Sequence, residues 1–81
     1  MKAYVLIETT PGKTKSIKKA LGKLKGGATT LVALDAVTGP YDFIAVVSGA
    51  NLDAIGSLVT DDIGTIDGVT RTTTCVAVSL G

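Results

Sequence analysis

Two short stretches of the sequence carry side chains that could hold a charged small molecule. Asp42 follows the turn-forming pair Gly39-Pro40, and its carboxylate either caps the turn or pairs with a cation. Gly39 would let a ligand come close to nearby backbone N–H groups. Thr72 and Thr74 are two residues apart, so on a strand they share one face. Their presence reflects either ordinary β propensity or a row of hydroxyls that can donate to a carboxylate.

Groups suited to catalysis are scarce. The sequence has no histidine, the commonest general base and metal ligand at neutral pH. A single cysteine, Cys75, is typical of a protein in a reducing compartment. We expect Cys75 to be a small buried residue of a strand rather than a nucleophile. Asp61 and Asp62 are adjacent at a helix end, so we expect them to be surface charges. The sequence therefore predicts no catalytic residue, no metal site and no cofactor.

The pattern of apolar and turn residues predicts the elements that position these stretches. Residues 2–9, 28–37, 43–48 and 69–80 are rich in β-forming residues and predict four strands. Thr10 is the expected N-cap and Pro11 the first residue of a helix of about 13 residues, ended by Gly26-Gly27. Asn51 is the expected N-cap of a second helix over 52–63. The order predicts an α+β fold, a ferredoxin-like βαββαβ sandwich.

The predicted sheet is apolar on both faces. In the first strand, Ala3, Val5 and Ile7 lie on one side and Tyr4 and Leu6 on the other. In the second strand, one side has Val32, Leu34 and Ala36 and the other has Leu31, Ala33 and Val37. In the third strand, one side has Phe43, Ala45 and Val47 and the other has Ile44 and Val46. Two helices cover one face only, so we expect a second copy to cover the other, as in a dimeric α/β barrel.

Composition narrows the class of protein further. The chain has 81 residues, 46% hydrophobic, with a net charge of +1, which predicts one domain over residues 1–81. No apolar run approaches the roughly 20 residues that span a bilayer, and no signal peptide is evident, so we expect a cytoplasmic protein without membrane contact. Six of the eight cations are lysines between residues 13 and 25. They form either a solvated helix face or a surface for phosphate or an acidic partner.

Two motifs resemble those of a known family. Residues 37–43, Val-Thr-Gly-Pro-Tyr-Asp-Phe, are similar to the V-T-G-x-Y-D loop of the Lrp/AsnC effector domain, and residues 68–74, Gly-Val-Thr-Arg-Thr-Thr-Thr, to its G-V-x-R-T-x-T segment. The likeness extends over essentially the whole chain. Asp67 departs from it, since a proline is common there. The family's regulators also carry an N-terminal helix-turn-helix domain, so the chain resembles a stand-alone effector-binding (RAM) domain.

The resemblance implies a domain that dimerises through its sheets and often forms rings of dimers, with amino-acid effectors bound between dimers. It implies transcription regulation without direct DNA binding by this chain. By position, the implied ligand contacts are Thr38, Gly39, Tyr41, Asp42, Thr72 and Thr74.

Two other functions stay open. One is a small cofactor-free enzyme of the dimeric α/β-barrel type, such as a monooxygenase or isomerase. The other is a partner that co-assembles with a full-length regulator through the bare sheet face.

Overall fold

The computed structural model describes residues 1–24 and 28–81 and contains the predicted order of elements. Four strands, β1 to β4, span Lys2–Thr9, Thr29–Ala36, Phe43–Gly49 and Val69–Val76. Helix α1 spans Thr14–Gly22, and α2 spans Leu52–Ser57 and continues into a π-helical segment, Leu58–Ile63. The predicted α+β, ferredoxin-like βαββαβ fold is confirmed. No helix in the two described ranges is long and apolar enough to cross a membrane.

The four strands form one antiparallel sheet in the order β2-β3-β1-β4. Ala3, Val5 and Ile7 of β1 pair with Val47, Ala45 and Phe43 of β3, and all six side chains are fully buried. Ile17 and Leu21 of α1, Ile55 of α2, and Leu58 and Ile63 of the π-helical segment complete this core. Both helical segments therefore lie on one face of the sheet.

Helix α1 begins and ends differently from the prediction. Thr10 is not its N-cap, because Pro11 and Gly12 form a turn first: Gly12 has φ +89° and the Lys13 N–H donates to the Thr10 carbonyl at 3.3 Å. Pro followed by a positive-φ Gly favours a tight turn over a first helical turn. The helix starts at Thr14 and ends at Gly22, with Lys23 at its C-cap. The predicted stop at Gly26-Gly27 lies outside the described residues.

The second helical segment begins as predicted. The Asn51 side chain accepts a hydrogen bond from the Ala54 N–H at 2.8 Å, and Asp53 lies in the first turn. The segment widens at its end, where the Gly64 N–H donates to the Val59 carbonyl, five residues back, at 2.7 Å. Asp61 and Asp62 lie in this wider part and are exposed, as predicted.

A bulge in β2 overturns the predicted alternation of its side chains. Leu31 pairs with Val47, but Ala33 pairs with Val46, so Val32 is an extra residue without a partner. As a result Leu31 and Leu34 both pack against the core, whereas Val32 is 60% exposed. After the extra residue, each side chain of β2 lies on the face opposite to the one that a strict period of two predicts.

The face of the sheet without helices is apolar at its centre. Tyr4 and Leu6 of β1 pair with Val46 and Ile44 of β3, and Tyr4 and Leu6 also pair with Cys75 and Thr73 of β4. We call these residues the bare sheet face. The prediction that Cys75 is buried is wrong: Cys75 is exposed, because it lies on this face rather than over the core. Strand β4 also ends at Val76, short of the predicted residue 80.

An exposed ion pair joins the start of α1 to the start of β4. Lys13 Nζ lies 2.9 Å from Asp67 Oδ2. Their hydrogen bond and mutual attraction lower the pKa of Asp67 and raise the pKa of Lys13. The pair therefore stabilises the fold most between the ordinary pKa values of the two groups, 3.8 and 10.5.

We expect Asp67→Asn to lower Tm by at most a few degrees near neutral pH, since an exposed pair contributes little. The carboxylate's contribution disappears as pH falls through its lowered pKa, and that of the ammonium disappears as pH rises through its raised pKa. Thermal melts of both proteins should therefore converge in acid, in strong alkali and at high salt. A difference that persists in acid would mean that Asp67 acts through packing instead.

Candidate ligand-binding site

The loop Thr38–Asp42 joins β2 to β3 as a hairpin at one end of the sheet. The Val37 N–H donates to the Asp42 carbonyl at 2.9 Å and closes the loop. Gly39 has φ +125°, a conformation that side chains with a Cβ rarely adopt. Thr38 and Gly39 are exposed, while Tyr41 and Asp42 are half-buried. The loop thus presents an open backbone next to a carboxylate.

Asp42 is fixed by the neighbouring strand β1. Its Oδ2 accepts a hydrogen bond from the Thr9 N–H at 2.7 Å, and its own N–H donates to the Ile7 carbonyl at 2.9 Å. Thr9 is 33 residues away in sequence, so the carboxylate anchors the hairpin to β1 rather than capping its own turn. Among the described residues, the ion pairs join Lys13 to Asp67 and Arg71 to Glu8. The Asp42 carboxylate is therefore held in place by a backbone N–H, with no lysine or arginine of the described residues within ion-pair distance.

The two threonines lie on the other side of β1. Thr72 pairs with Ile7 and Thr74 with Val5, so both side chains are on the helix-covered face. Thr72 is half-buried and lies at the same end of the sheet as the hairpin. Because β1 separates β3 from β4, Thr72 lies about two strand spacings, or ~10 Å, from the start of β3. Thr74 is two residues farther along the strand.

Thr74 lines an open groove of about 670 Å³ between β4 and the second helical segment. The described residues around it include Asp53, Ser57, Thr60 and Asp61, but not the hairpin Thr38–Asp42 or Thr72. The predicted contacts are thus divided: the hairpin and Thr72 share one end of the sheet, whereas Thr74 belongs to this groove. Sequence reasoning missed the groove, although the polar spacing 53, 57 and 60 is that of one helix face.

No group of three histidine, cysteine, aspartate or glutamate side chains that could hold a metal ion occurs within residues 1–24 and 28–81. No buried side-chain nitrogen or oxygen in these ranges lacks a hydrogen-bond partner. The arrangement offers a carboxylate, open backbone and hydroxyls, which are groups that bind a zwitterion by charge and hydrogen bonding.

The sequence and the fold of the chain resemble those of known proteins. A family model described as the Lrp/AsnC ligand binding domain matches residues 2–80. Protein TTHA0845 from Thermus thermophilus has a similar structure, with a TM-score of 0.85 and 29% sequence identity, covering 96% of this chain and 92% of that one. No curated protein sequence matches the chain.

Two longer proteins share the fold. E. coli AsnC has a TM-score of 0.85 at 20% identity, covering 96% of this chain and 50% of AsnC. The Neisseria meningitidis transcriptional regulator NMB0573, solved as a complex with L-Met, has a TM-score of 0.82 at 14% identity, covering 98% of this chain and 50% of the regulator. The present chain therefore corresponds to about half the length of each.

Proposed function

The chain belongs to the Lrp/AsnC ligand binding domain family, and we propose that it is a cytoplasmic, oligomeric module that binds an amino acid as its effector. The observation that carries this proposal is the family match over residues 2–80, which includes both the hairpin and β4. The L-Met complex of NMB0573, a protein of the same fold, supports an amino acid as the class of ligand.

Asp42 is the proposed partner of the ligand's ammonium group. Its carboxylate is half-buried and already oriented by the Thr9 N–H, so little side-chain freedom is lost when a cation binds. A charge-assisted hydrogen bond to an ammonium group is stronger than one between neutral groups. The preset orientation is why we assign Asp42 the main role in affinity.

The ligand's carboxylate is proposed to accept hydrogen bonds from backbone N–H groups around Gly39. Tyr41 and Thr38 complete the wall of this site. The hydroxyls of Thr72 and Thr74 are proposed to contribute from a neighbouring subunit. Within one chain Thr74 lines the groove beside the second helical segment, away from the hairpin, whereas the ammonium and carboxylate of an amino acid share one carbon and need contacts close together. This separation supports a site between subunits.

We propose that two copies pair through the bare sheet face, since apolar side chains at the centre of a sheet favour burial against a like surface. Higher assembly of such dimers would bring the hairpin of one dimer near β4 of another. We propose that this assembly binds its ligand without converting it and does not bind DNA itself.

Co-assembly with a full-length regulator is a second candidate. The fold match to about half of AsnC supports it, since the same sheet face could pair with the equivalent half of a longer chain. Capture of a full-length family member by the tagged protein, without ligand, would support this role. Homodimers that do not exchange subunits with such a regulator would contradict it.

Calorimetric titration with each of the twenty amino acids tests the main proposal, and native mass spectrometry with an amino-acid mixture reports ligand mass and assembly together. Binding of one or a few amino acids per subunit is expected. If none binds to the intact oligomer, the amino-acid proposal is wrong.

Asp42→Asn should weaken amino-acid binding about 10- to 100-fold, the loss expected when a charge-assisted hydrogen bond becomes a neutral one. The amide oxygen still accepts from the Thr9 N–H, so Tm should change little. Asp42→Ala should instead lower both affinity and Tm, because the Thr9 N–H loses its acceptor. The matched control is Asp62→Asn, which removes one exposed carboxylate elsewhere. Equal affinity of Asp42→Asn and wild type would remove Asp42 from the site.

A further inference from the structure

The two helical segments carry opposite charge. Residues 13–25 contain six lysines and no acid, whereas residues 51–67 contain four aspartates and no lysine or arginine. Both segments cover the same face of the sheet. This separation is not required by the core, which uses only the apolar sides of the segments.

On α1, the charged residues surround an open groove of about 640 Å³, which we call the lysine groove; it is lined by Lys15, Lys18, Lys19, Gly22 and Lys23. All five residues are exposed. Among the described residues, none of these four lysines has a carboxylate within ion-pair distance, since the pairs join Lys13 to Asp67 and Arg71 to Glu8. The groove therefore concentrates like charges that no acidic group in the described part of the chain neutralises.

On the other segment, Asp53, Asp61 and Asp62 are exposed and form what we call the aspartate strip. Asp53 and Asp61 border the groove of about 670 Å³, whose walls include the small residues Gly56 and Ser57. Small residues in the wall of the groove leave room for long lysine side chains. Such side chains can bury their methylene groups and keep the ammonium beside a carboxylate. The two grooves are similar in volume and opposite in charge.

We propose that the lysine groove of one copy docks onto the aspartate strip of a second copy, and that this contact is distinct from the bare sheet face. Charge complementarity identifies the occupant: the chain itself presents the acidic surface that the lysines lack. A net charge of only +1 gives no overall attraction to a polyanion such as nucleic acid, so a local acidic surface is the better partner. The inference does not depend on ligand binding.

Such a contact has a specific dependence on salt. Exposed charges more than a Debye length apart are screened, and that length falls from about 30 Å at 0.01 M to about 3 Å at 1 M salt. Association through this surface should therefore weaken at least tenfold between low and high salt. Pairing through the apolar sheet face should persist under the same conditions.

The experiment is a charge swap followed by sedimentation velocity at low and high salt. Lys18→Glu/Lys19→Glu should abolish the salt-sensitive association step, and so should Asp61→Lys/Asp62→Lys. An equimolar mixture of the two variants should restore it as a heteromer. Lys18→Arg/Lys19→Arg, which keeps the charge, should behave as wild type, and circular dichroism verifies that every variant is folded.

Three outcomes would overturn the proposal. The first is a wild-type protein without salt-sensitive association, and the second is association of the reversed variants at the wild-type level. The third is that the wild-type protein binds nucleic acid through these lysines. Ultraviolet absorbance from nucleic acid would then sediment with the wild-type protein but not with Lys18→Glu/Lys19→Glu, and the self-association of the two proteins would be the same. Failure of amino-acid binding alone would leave this result unaffected, so the two proposals fail separately.

Discussion

Gly68→Ala is expected to destabilise the fold by about 2–5 kcal/mol, a large part of the stability of a small domain. Gly68 has φ +97°, where a residue with a Cβ is strained. An added Cβ would also lie 2.9 Å from Lys13 Cβ and 2.9 Å from Ile17 Cδ1. Lys13 Cβ is held by its own backbone, and Ile17 is fully buried, so neither atom moves freely.

The position matters for a further reason. The Gly68 carbonyl accepts a hydrogen bond from the Thr10 N–H at 2.7 Å, which ties the turn before α1 to the turn before β4. A backbone shift that relieves the clash would lengthen this bond. Denaturant unfolding with linear extrapolation measures the change.

Substitutions at two other glycines distinguish the effect of backbone strain from that of steric crowding. Gly39 has φ +125°, but no atom in the described part of the chain lies within 4 Å of an added Cβ, so Gly39→Ala should cost about 1–2 kcal/mol from strain alone. Gly22 ends α1 without a positive φ, and none of the described residues comes within 4 Å of an added Cβ, so Gly22→Ala should be neutral or stabilise by up to about 1 kcal/mol. If Gly68→Ala cost no more than Gly39→Ala, the contact with Lys13 and Ile17 would not be a constraint.

Leu6→Lys is expected to convert the proposed dimer to a monomer. Leu6 lies between Ile44 and Thr73 at the centre of the bare sheet face. In the dimer a lysine there would be an uncompensated buried charge, which costs about 3–5 kcal/mol and raises Kd at least about a hundredfold. In the monomer the ammonium reaches water, so the fold is retained.

Analytical ultracentrifugation over a concentration series measures the shift, and thermal melts check the fold. Ser79→Lys is the matched control, because it adds the same charge at an exposed residue beyond β4. Cys75 offers an independent readout: its thiol should react slowly in wild type and quickly in Leu6→Lys. A Leu6→Lys protein that remains dimeric would assign the dimer contact to another surface.

The fold was largely predictable because local signals agree with it. β1 has the predicted bounds of 2–9, and the Asn51 cap was identified by its residue type before an apolar helical stripe. The predicted start of α1 was wrong because Gly12, beside Pro11, favours a turn, and this turn competes with capping of the helix by Thr10. The start of a helix is therefore ambiguous in the sequence where a turn signal and a capping residue are adjacent.

Features that depend on pairing between strands were not predictable in the same way. The Val32 bulge appears only in the register between β2 and β3, and the Asp42–Thr9 bond joins residues 33 apart. The exposure of Cys75 did have a signal, since it shares strand parity with Arg71 and Thr73 rather than with Thr72 and Thr74. The hairpin of the candidate site was visible in the sequence, whereas its anchor on β1 was not.

The bulge at Val32 changes how the edge of the sheet can pair with other chains. β2 is an edge strand, and a regular edge offers a continuous row of N–H and C=O groups on which a strand of another chain can extend the sheet. The extra residue interrupts that row in the middle of β2 and twists the strand locally. Asp35, exposed three residues later on the same edge, adds a charge that opposes stacking of like strands. The bulge and the exposed charge thus oppose fibril growth at this edge of an otherwise apolar sheet.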